Sequence, residues 1–178
     1  MKILIISDIH GYSENLSLLE TKIDMNSFTN IVLLGDIFSD YHTTLDDRYK
    51  IISFMNRYKN KLIVVRGNCD TEEDINDIPV KVDDVKYFKI DKMDFYFTHG
   101  NKYRYLKNDT FTDGVLIYGH EHIPYIKKKS DMIYINTGSI SLPRNELGKS
   151  FAIYEDKKVT LYNLDNLSII DSINLRSS

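Results

Sequence analysis

The chain of 178 residues has one cysteine, three prolines, eight glycines and no tryptophan. The lone cysteine, Cys69, can close no internal disulfide, which excludes the stapled scaffolds of small secreted proteins and fits a reducing compartment. With so few prolines and no stretch rich in Pro, Gly or Ser there is no linker, and at this length one domain over residues 1–178 is expected. Long apolar runs are missing too. The N-terminus offers only residues 3–6 before Ser7 and Asp8, too short for a signal-peptide core or a membrane span. Neither sign of charge dominates: the formal net charge is -3, so long nucleic acids and anionic membranes are not expected partners. These absences leave a cytoplasmic globular protein, and 42% hydrophobic residues suffice for its core.

What is present is one pattern repeated five times: a short apolar run of the kind buried on both faces of a sheet, ending in a polar cluster. Residues 3–6 lead into Ser7, Asp8, Ile9, His10 and Gly11, and residues 31–34 into Gly35 and Asp36. Residues 62–65 lead into Arg66, Gly67, Asn68, Cys69 and Asp70, and residues 95–97 into Thr98, His99 and Gly100. Residues 115–118 lead into Gly119, His120, Glu121 and His122. Between the first two runs, Leu16, Leu19 and Ile23 lie at helical spacing behind Ser13 as a candidate N-cap. Before the third, Thr44 and Asp47 resemble a capping box, and Leu45, Tyr49, Ile52 and Met55 repeat at helical spacing. The tail reads as hairpins over 132–136, 151–154, 159–164 and 167–173, with turns at Glu155-Asp156 and Asp165-Asn166. The whole predicts an α/β fold of two packed sheets flanked by helices.

Loops at the carboxyl ends of parallel strands converge on one crevice. Asp8, His10, Asp36, Asn68, His99, His120 and His122 would meet there, and they include four of the five histidines. Oxygen and imidazole ligands without thiolate suit divalent Mn, Fe, Co, Ni or Zn. Seven ligands exceed the needs of one ion, so two are implied, with Asp36 the candidate bridge. Two divalent ions against two carboxylates and a hydroxide leave about one net positive charge, which attracts a phosphate. Hydrolysis of a phosphate ester by in-line attack of a hydroxide held on the two metals follows as the expected chemistry, with Asp36, Asn68 and His99 the candidate catalytic residues.

Asp8-Ile9-His10, Gly35-Asp36, Gly67-Asn68-Cys69-Asp70, Thr98-His99-Gly100 and Gly119-His120-Glu121-His122, in this order, resemble the calcineurin-like metallophosphoesterases, in particular their small single-domain bacterial and archaeal phosphodiesterases. The resemblance runs from residue 2 to about residue 143. It implies a four-layer α-β-β-α sandwich of two mixed sheets and a binuclear centre, commonly loaded with Mn. It also implies that Asp8, His10, Asp36 and His122 hold the first ion and Asp36, Asn68, His99 and His120 the second. Asn136-Thr137-Gly138-Ser139 resembles the family's Asn-Pro-Gly-Ser turn and reads as structural. Two positions depart from the pattern. Cys69 stands where most members have a phosphate-contacting histidine, and a thiol is a poor acid for a leaving group. It reads first as a small packing residue, and as a substrate contact second. Glu121 stands where Thr is usual, and strand alternation would turn its charge away from the ions.

Further candidates for substrate contact are His42, in the polar loop after Asp36, Arg104 and Arg144; Lys102, Tyr103, Arg104 and Tyr105 read alternatively as a solvated helix face. Residues 72–84, with six carboxylates, read as a solvated connection. Thirteen tyrosines exceed what one core needs, which suggests a cleft lining or contact with a second copy of the chain. A small phosphodiester is the expected substrate. The same site on a phosphomonoester or nucleotide, and a protein-binding scaffold of the same fold, are the competing readings.

Overall fold

The structure, a computed structural model, describes residues 1–39 and 42–175. The five apolar runs form strands β1 (Lys2–Ile6), β2 (Asn30–Leu33), β3 (Leu62–Val65), β6 (Met93–Thr98) and β7 (Asp113–Tyr118). Strands β4 (Val82–Asp83), β5 (Val85–Ile90), β8 (Pro124–Lys129), β9 (Asp131–Thr137), β10 (Ser150–Glu155), β11 (Lys158–Asn163) and β12 (Ile169–Asn174) complete two mixed sheets. The first sheet has the order β12-β11-β10-β1-β2-β3-β4 and the second β5-β6-β7-β9-β8. Pairing is parallel from β1 through β4, and again across β6, β7 and β9. The closing meander β10-β11-β12 is antiparallel, as the tail predicts, whereas the 132–136 run of that tail is β9 and joins the second sheet, parallel to β7 and antiparallel to β8.

Alternation sorts the side chains of the first sheet between two cores. Leu4, Ile6, Ile31, Leu33 and Val64 face helices α1 (Ser13–Lys22) and α2 (Leu45–Tyr58). Ile3, Ile5, Val32, Leu34 and Val65 face the second sheet, where they meet Phe95, Phe97, Val115 and Ile117. Each such side chain contributes about 1.5–3 kcal/mol by leaving water. The outer face of the second sheet carries no helix among the described residues. Its cover is the aromatic segment 103–111, which packs Tyr103, Tyr105 and Phe111 on Leu116, Tyr118, Met132 and Tyr134. Six of the tyrosines gather on this face, and the alternative reading of 102–105 as a solvated helix face gives way to an irregular turn in which Arg104 and Lys107 exchange backbone hydrogen bonds. No helix among the described residues is long and apolar enough to cross a membrane.

Local signals need two corrections. Helix α1 takes Tyr12 as its N-cap, without a side-chain cap; Ser13 is the first helical residue and donates its hydroxyl to Asp47 instead. Residues 72–84 are more than a solvated connection, because they include helix α3 (Glu72–Asp77) with a buried Asp74. Asp74 closes a capping box with Thr71 and accepts the Arg48 guanidinium at 2.6 Å. Arg48, from α2, also lies over the Phe38 ring at 4.5 Å. One arginine thus clamps the loops that follow β2 and β3, both of which carry candidate ligands. Burial pushes the Asp74 carboxyl up, but Arg48 and Thr71 more than offset this and hold it below the ordinary range.

Removing one partner of such a pair leaves the other desolvated, so Asp74→Ala is expected to cost about 2–4 kcal/mol in urea unfolding. Since the folded carboxyl is depressed, its contribution is present above the unfolded value of about 3.9 and is lost as pH falls through the folded one. The variant should therefore lose part of the wild-type decline in stability below about pH 4. An unchanged urea midpoint would show that the clamp carries no stability.

Candidate metal centre

All seven predicted ligands stand on loops leaving the carboxyl ends of β1, β2, β3, β6 and β7, so three come from the first sheet's first two strands, one from its third and three from the second sheet. Backbone hydrogen bonds tie the loops together: Asp8 N donates to Gly35 O, His10 N to Asp36 O and Gly119 N to His99 O. Asp8, His10, Asp36, His120 and His122 have positive φ, between 49° and 63°. Non-glycine residues adopt this left-handed conformation only where the surroundings impose it, at about 1–3 kcal/mol each, and such strain gathers at functional sites. Gly35, at φ 86°, lets the chain pass against the backbone of Gly67, where a Cβ would collide. A side chain on Gly119 would strike Ser7 Oγ and Asp8 Oδ2.

The side chains form two overlapping groups. His122 Nε2 lies 3.1 Å and His10 Nε2 3.7 Å from Asp8 Oδ1, and the two ring nitrogens face each other at 3.2 Å. On the other side, His99 Nε2 lies 3.3 Å from Asp36 Oδ2, 3.0 Å from Asn68 Oδ1 and 3.2 Å from His120 Nδ1. Asp36 Oδ2 is also 3.7 Å from His10 Nε2, so this carboxylate stands between the groups. His122 Nδ1–H donates to Leu142 O and His99 Nδ1–H to Leu34 O, which orients both rings and aims each Nε2 into the crevice.

The atoms that meet here are mostly acceptors. Asp8 Oδ2 is satisfied by Ser7 Oγ and the His120 amide, whereas Oδ1 is buried without a hydrogen-bond donor. A buried oxygen of this kind facing imidazole lone pairs fits a cation. Asp8, His10 and His122 can hold one ion, and so can Asp8, Asp36 and His99, with ligand atoms of each group within 4.8 Å of one another. The electrostatics agree. Burial disfavours ionised Asp8, yet the adjoining His10, His122 and His99 imidazoles hold its carboxyl well below the ordinary range. Asp36 is likewise depressed, burial being outweighed by the His99 hydrogen bond. Burial would lower His99, but Asp36 and Asp8 carry it up to about 9. His120 is lowered by burial and then by the neighbouring charge of His99.

The remaining candidates divide. Cys69 is exposed rather than packed inside, and its thiol reaches His10 and Asp36 within 4.8 Å. The covered side of the sulfur and then the Asp36 charge push that thiol up to about 12. Arg104 lies over the crevice rim between the loops of His99 and His120. His42 is exposed against the Tyr12 ring, 5.6 Å between centroids, and is not brought among the ligands. The Arg144 amide donates to His122 O while its side chain stays exposed. Glu121 faces away from the ligands as expected, but not by strand alternation: the chain bends through left-handed His120 and His122.

Sequence reasoning missed one brace behind the ligands, Asp70. Asp70 Oδ2 accepts the amides of Asp36 and Gly67 at 2.9 and 2.8 Å, and Oδ1 accepts that of Ile37 at 2.8 Å. Burial raises this carboxyl against the pull of those amides. Ser139 Oγ donates to Asp8 O, and Asn136 Nδ2 to Gly119 O, so the 136–139 turn is structural as expected and supports both sheets' loops. The only signal for Asp70 was its place in Gly67-Asn68-Cys69-Asp70.

A family model described as the Calcineurin-like phosphoesterase superfamily domain matches residues 1–158. The chain belongs to the calcineurin-like phosphoesterases. Phosphodiesterase YfcE of Escherichia coli K12 is 28% identical over 185 residues, covering 97% of each chain. The solved structure of that E. coli phosphoesterase superposes with a TM-score of 0.85 at 25% identity, covering 99% of this chain and all of the other. Vps29 of Entamoeba histolytica, solved as a Zn2+ complex, shares the fold with a TM-score of 0.62 at 17% identity, covering 98% and 99% of the two chains.

Asp70→Asn would turn an amide group toward backbone N–H donors. We expect a loss of about 1–3 kcal/mol in unfolding stability and a 10–100-fold fall in affinity for divalent metal by calorimetric titration of chelator-stripped protein. Metal affinity equal to that of the wild type would remove Asp70 from the support of the site.

Proposed function

We propose that residues 1–178 act as one phosphodiesterase domain that hydrolyses a small phosphodiester at a binuclear metal centre, with Mn2+ first among Mn2+, Ni2+, Co2+, Fe2+ and Zn2+. The observation that carries this reading is the buried, donorless Asp8 Oδ1 among converging imidazole nitrogens. Asp8, His10, Asp36 and His122 would hold one ion, and Asp36, Asn68, His99 and His120 the other. When bound, the metals supply Lewis acidity toward phosphoryl oxygens and lower the pKa of water toward about 7.

The protein's own groups do the positioning. Asp36 stands between the two ligand groups, with Oδ1 fixed by the Cys69 amide at 2.8 Å and Oδ2 left for the crevice. Asn68 and His99 converge on the same side, where a phosphoryl group would enter past the exposed Asn68 and Cys69. Cys69, held as a thiol, is a weak proton donor to a departing alkoxide, so esters of acidic alcohols suit the site best. The full ligand set supports hydrolysis over a scaffold role.

Chelator-stripped protein should hydrolyse bis(p-nitrophenyl) phosphate only after Mn2+ is returned. Asp36→Ala and His120→Ala should each lower that turnover more than about 100-fold, beyond the loss expected for supporting residues, with circular dichroism unchanged. Near-normal turnover in either variant overturns the ligand assignment. Cys69→His should raise the rate on an ester with a poor leaving group by about tenfold or more relative to the nitrophenyl ester. Unchanged leaving-group dependence would contradict the role given to the thiol.

A further inference from the structure

Glu121 is flanked by two candidate ligands, yet its carboxylate serves a different set of groups. Oε2 accepts from Tyr125 OH at 2.5 Å and from Asn136 Nδ2 at 3.1 Å, while Oε1 lies 3.6 Å from Arg104 Nε. Arg104 Nη1 donates to Gly100 O at 3.0 Å and Asn101 O at 3.2 Å. The ion pair therefore bridges the loop that follows His99 and the loop that carries His120. Nη2 of Arg104 has no hydrogen-bond partner among the described residues. The segment bearing the arginine is pinned from below: Tyr105 N donates to Tyr118 OH, which pairs with Tyr125 OH, and Phe111 stacks on Tyr96 at 4.2 Å. The guanidinium and carboxylate are 29% and 32% exposed, so their fields act on the crevice with partial screening.

We propose that the Glu121–Arg104 pair sets charge selectivity. By cancelling the arginine's charge beside His120, Glu121 keeps the crevice mouth suited to a singly charged phosphodiester over a doubly charged phosphomonoester. This rests on the phosphoesterase reading above. The physical reason is that a fixed charge acts on a ligand in proportion to the ligand's own charge. Deleting one negative charge at the mouth therefore helps a dianion about twice as much, in free energy, as a monoanion, and the difference is a gain in preference for the monoester. Removing Arg104 does the reverse. Arg104 is thus a specificity residue, and Glu121 a residue that positions and neutralises it.

The test uses the full-length, Mn2+-loaded protein. Glu121→Gln is isosteric and keeps an acceptor for Tyr125 and Asn136. At about pH 8, where the monoester carries two charges, kcat/KM is measured for p-nitrophenyl phosphate and bis(p-nitrophenyl) phosphate. In Glu121→Gln the monoester-to-diester ratio should rise about three- to tenfold, mainly through KM, and the gain should shrink as salt rises from about 0.05 to 0.5 M. Arg104→Ala should lower the ratio by a similar factor, and the double variant should return it toward the wild type. A merely structural role would change both esters equally and would not follow salt; that result, or an unchanged ratio in both single variants, overturns the proposal. Should the wild-type protein hydrolyse neither ester with Mn2+, the phosphoesterase reading fails instead. Titration with inorganic phosphate then decides the charge effect: tighter binding in Glu121→Gln and weaker binding in Arg104→Ala sustain it, and equal binding overturns it.

Discussion

Too many hydrogen-bond acceptors meet in one buried place, and most of the local structure answers that excess. Asp8 and Asp36 are both buried, and two of the rings that face them, His99 and His122, have Nδ1 committed to a backbone carbonyl and Nε2 left toward the carboxylates. Carboxylates in such a setting repel each other, and burial penalises each charge, so the cluster is stable only with positive charge inside it. A proton on His99, held up to about 9, is the smallest such charge. It satisfies Asp36 but leaves Asp8 Oδ1 without a donor. Cations with several coordination positions meet the same need more completely, because one ion accepts three or four of these atoms at once.

Holding acceptors together before a cation arrives requires a rigid frame. The ligands come from both sheets, so they are neighbours only when the core between the sheets is packed, with Ile5, Val32 and Leu34 against Phe97, Val115 and Ile117. Four of the five ligand loops are then fixed by a polar group that is not itself a ligand: Ser139 on Asp8, Asp70 on the Asp36 and Gly67 amides, and Asn136 on Gly119. The left-handed backbone at five ligand positions is stable because these braces and the sheet core outweigh its cost. Anything that binds across the two sheets would in turn stabilise their packing by linkage.

The frame was legible in the sequence where burial is two-sided. Strands β1, β2, β3, β6 and β7 read as continuous apolar runs because both of their faces are covered, and the ligands follow directly at their ends. Strands β5 and β8 left no such trace, since they lie at sheet edges with exposed residues such as Tyr87 and Phe88 and with charged Lys127, Lys128 and Lys129. The braces were equally hidden. The roles of Asp70 and Asp74 depend on which backbone amides and which guanidinium fold back to them, and spacing along the chain does not encode that. Glu121 shows the limit most clearly: its outward direction was foreseen, yet the cause is a pair of left-handed bends rather than an extended strand. A cover of aromatic side chains likewise looks, in sequence, much like a helix face.

The ligand cluster and its rim obey different constraints. The cluster's geometry answers the demands of a cation, and those demands say little about substrate. The rim is free of that demand, and here it is built from Cys69, Glu121 and Arg104. Burial and the Asp36 charge push the Cys69 thiol up to about 12, which makes it a poor proton donor. An arginine neutralised by its own glutamate adds a hydrogen-bond donor without adding net charge. On the proposed reading both features act in one direction: they favour a monoanionic ester with a stable leaving group over a dianion or a basic alkoxide.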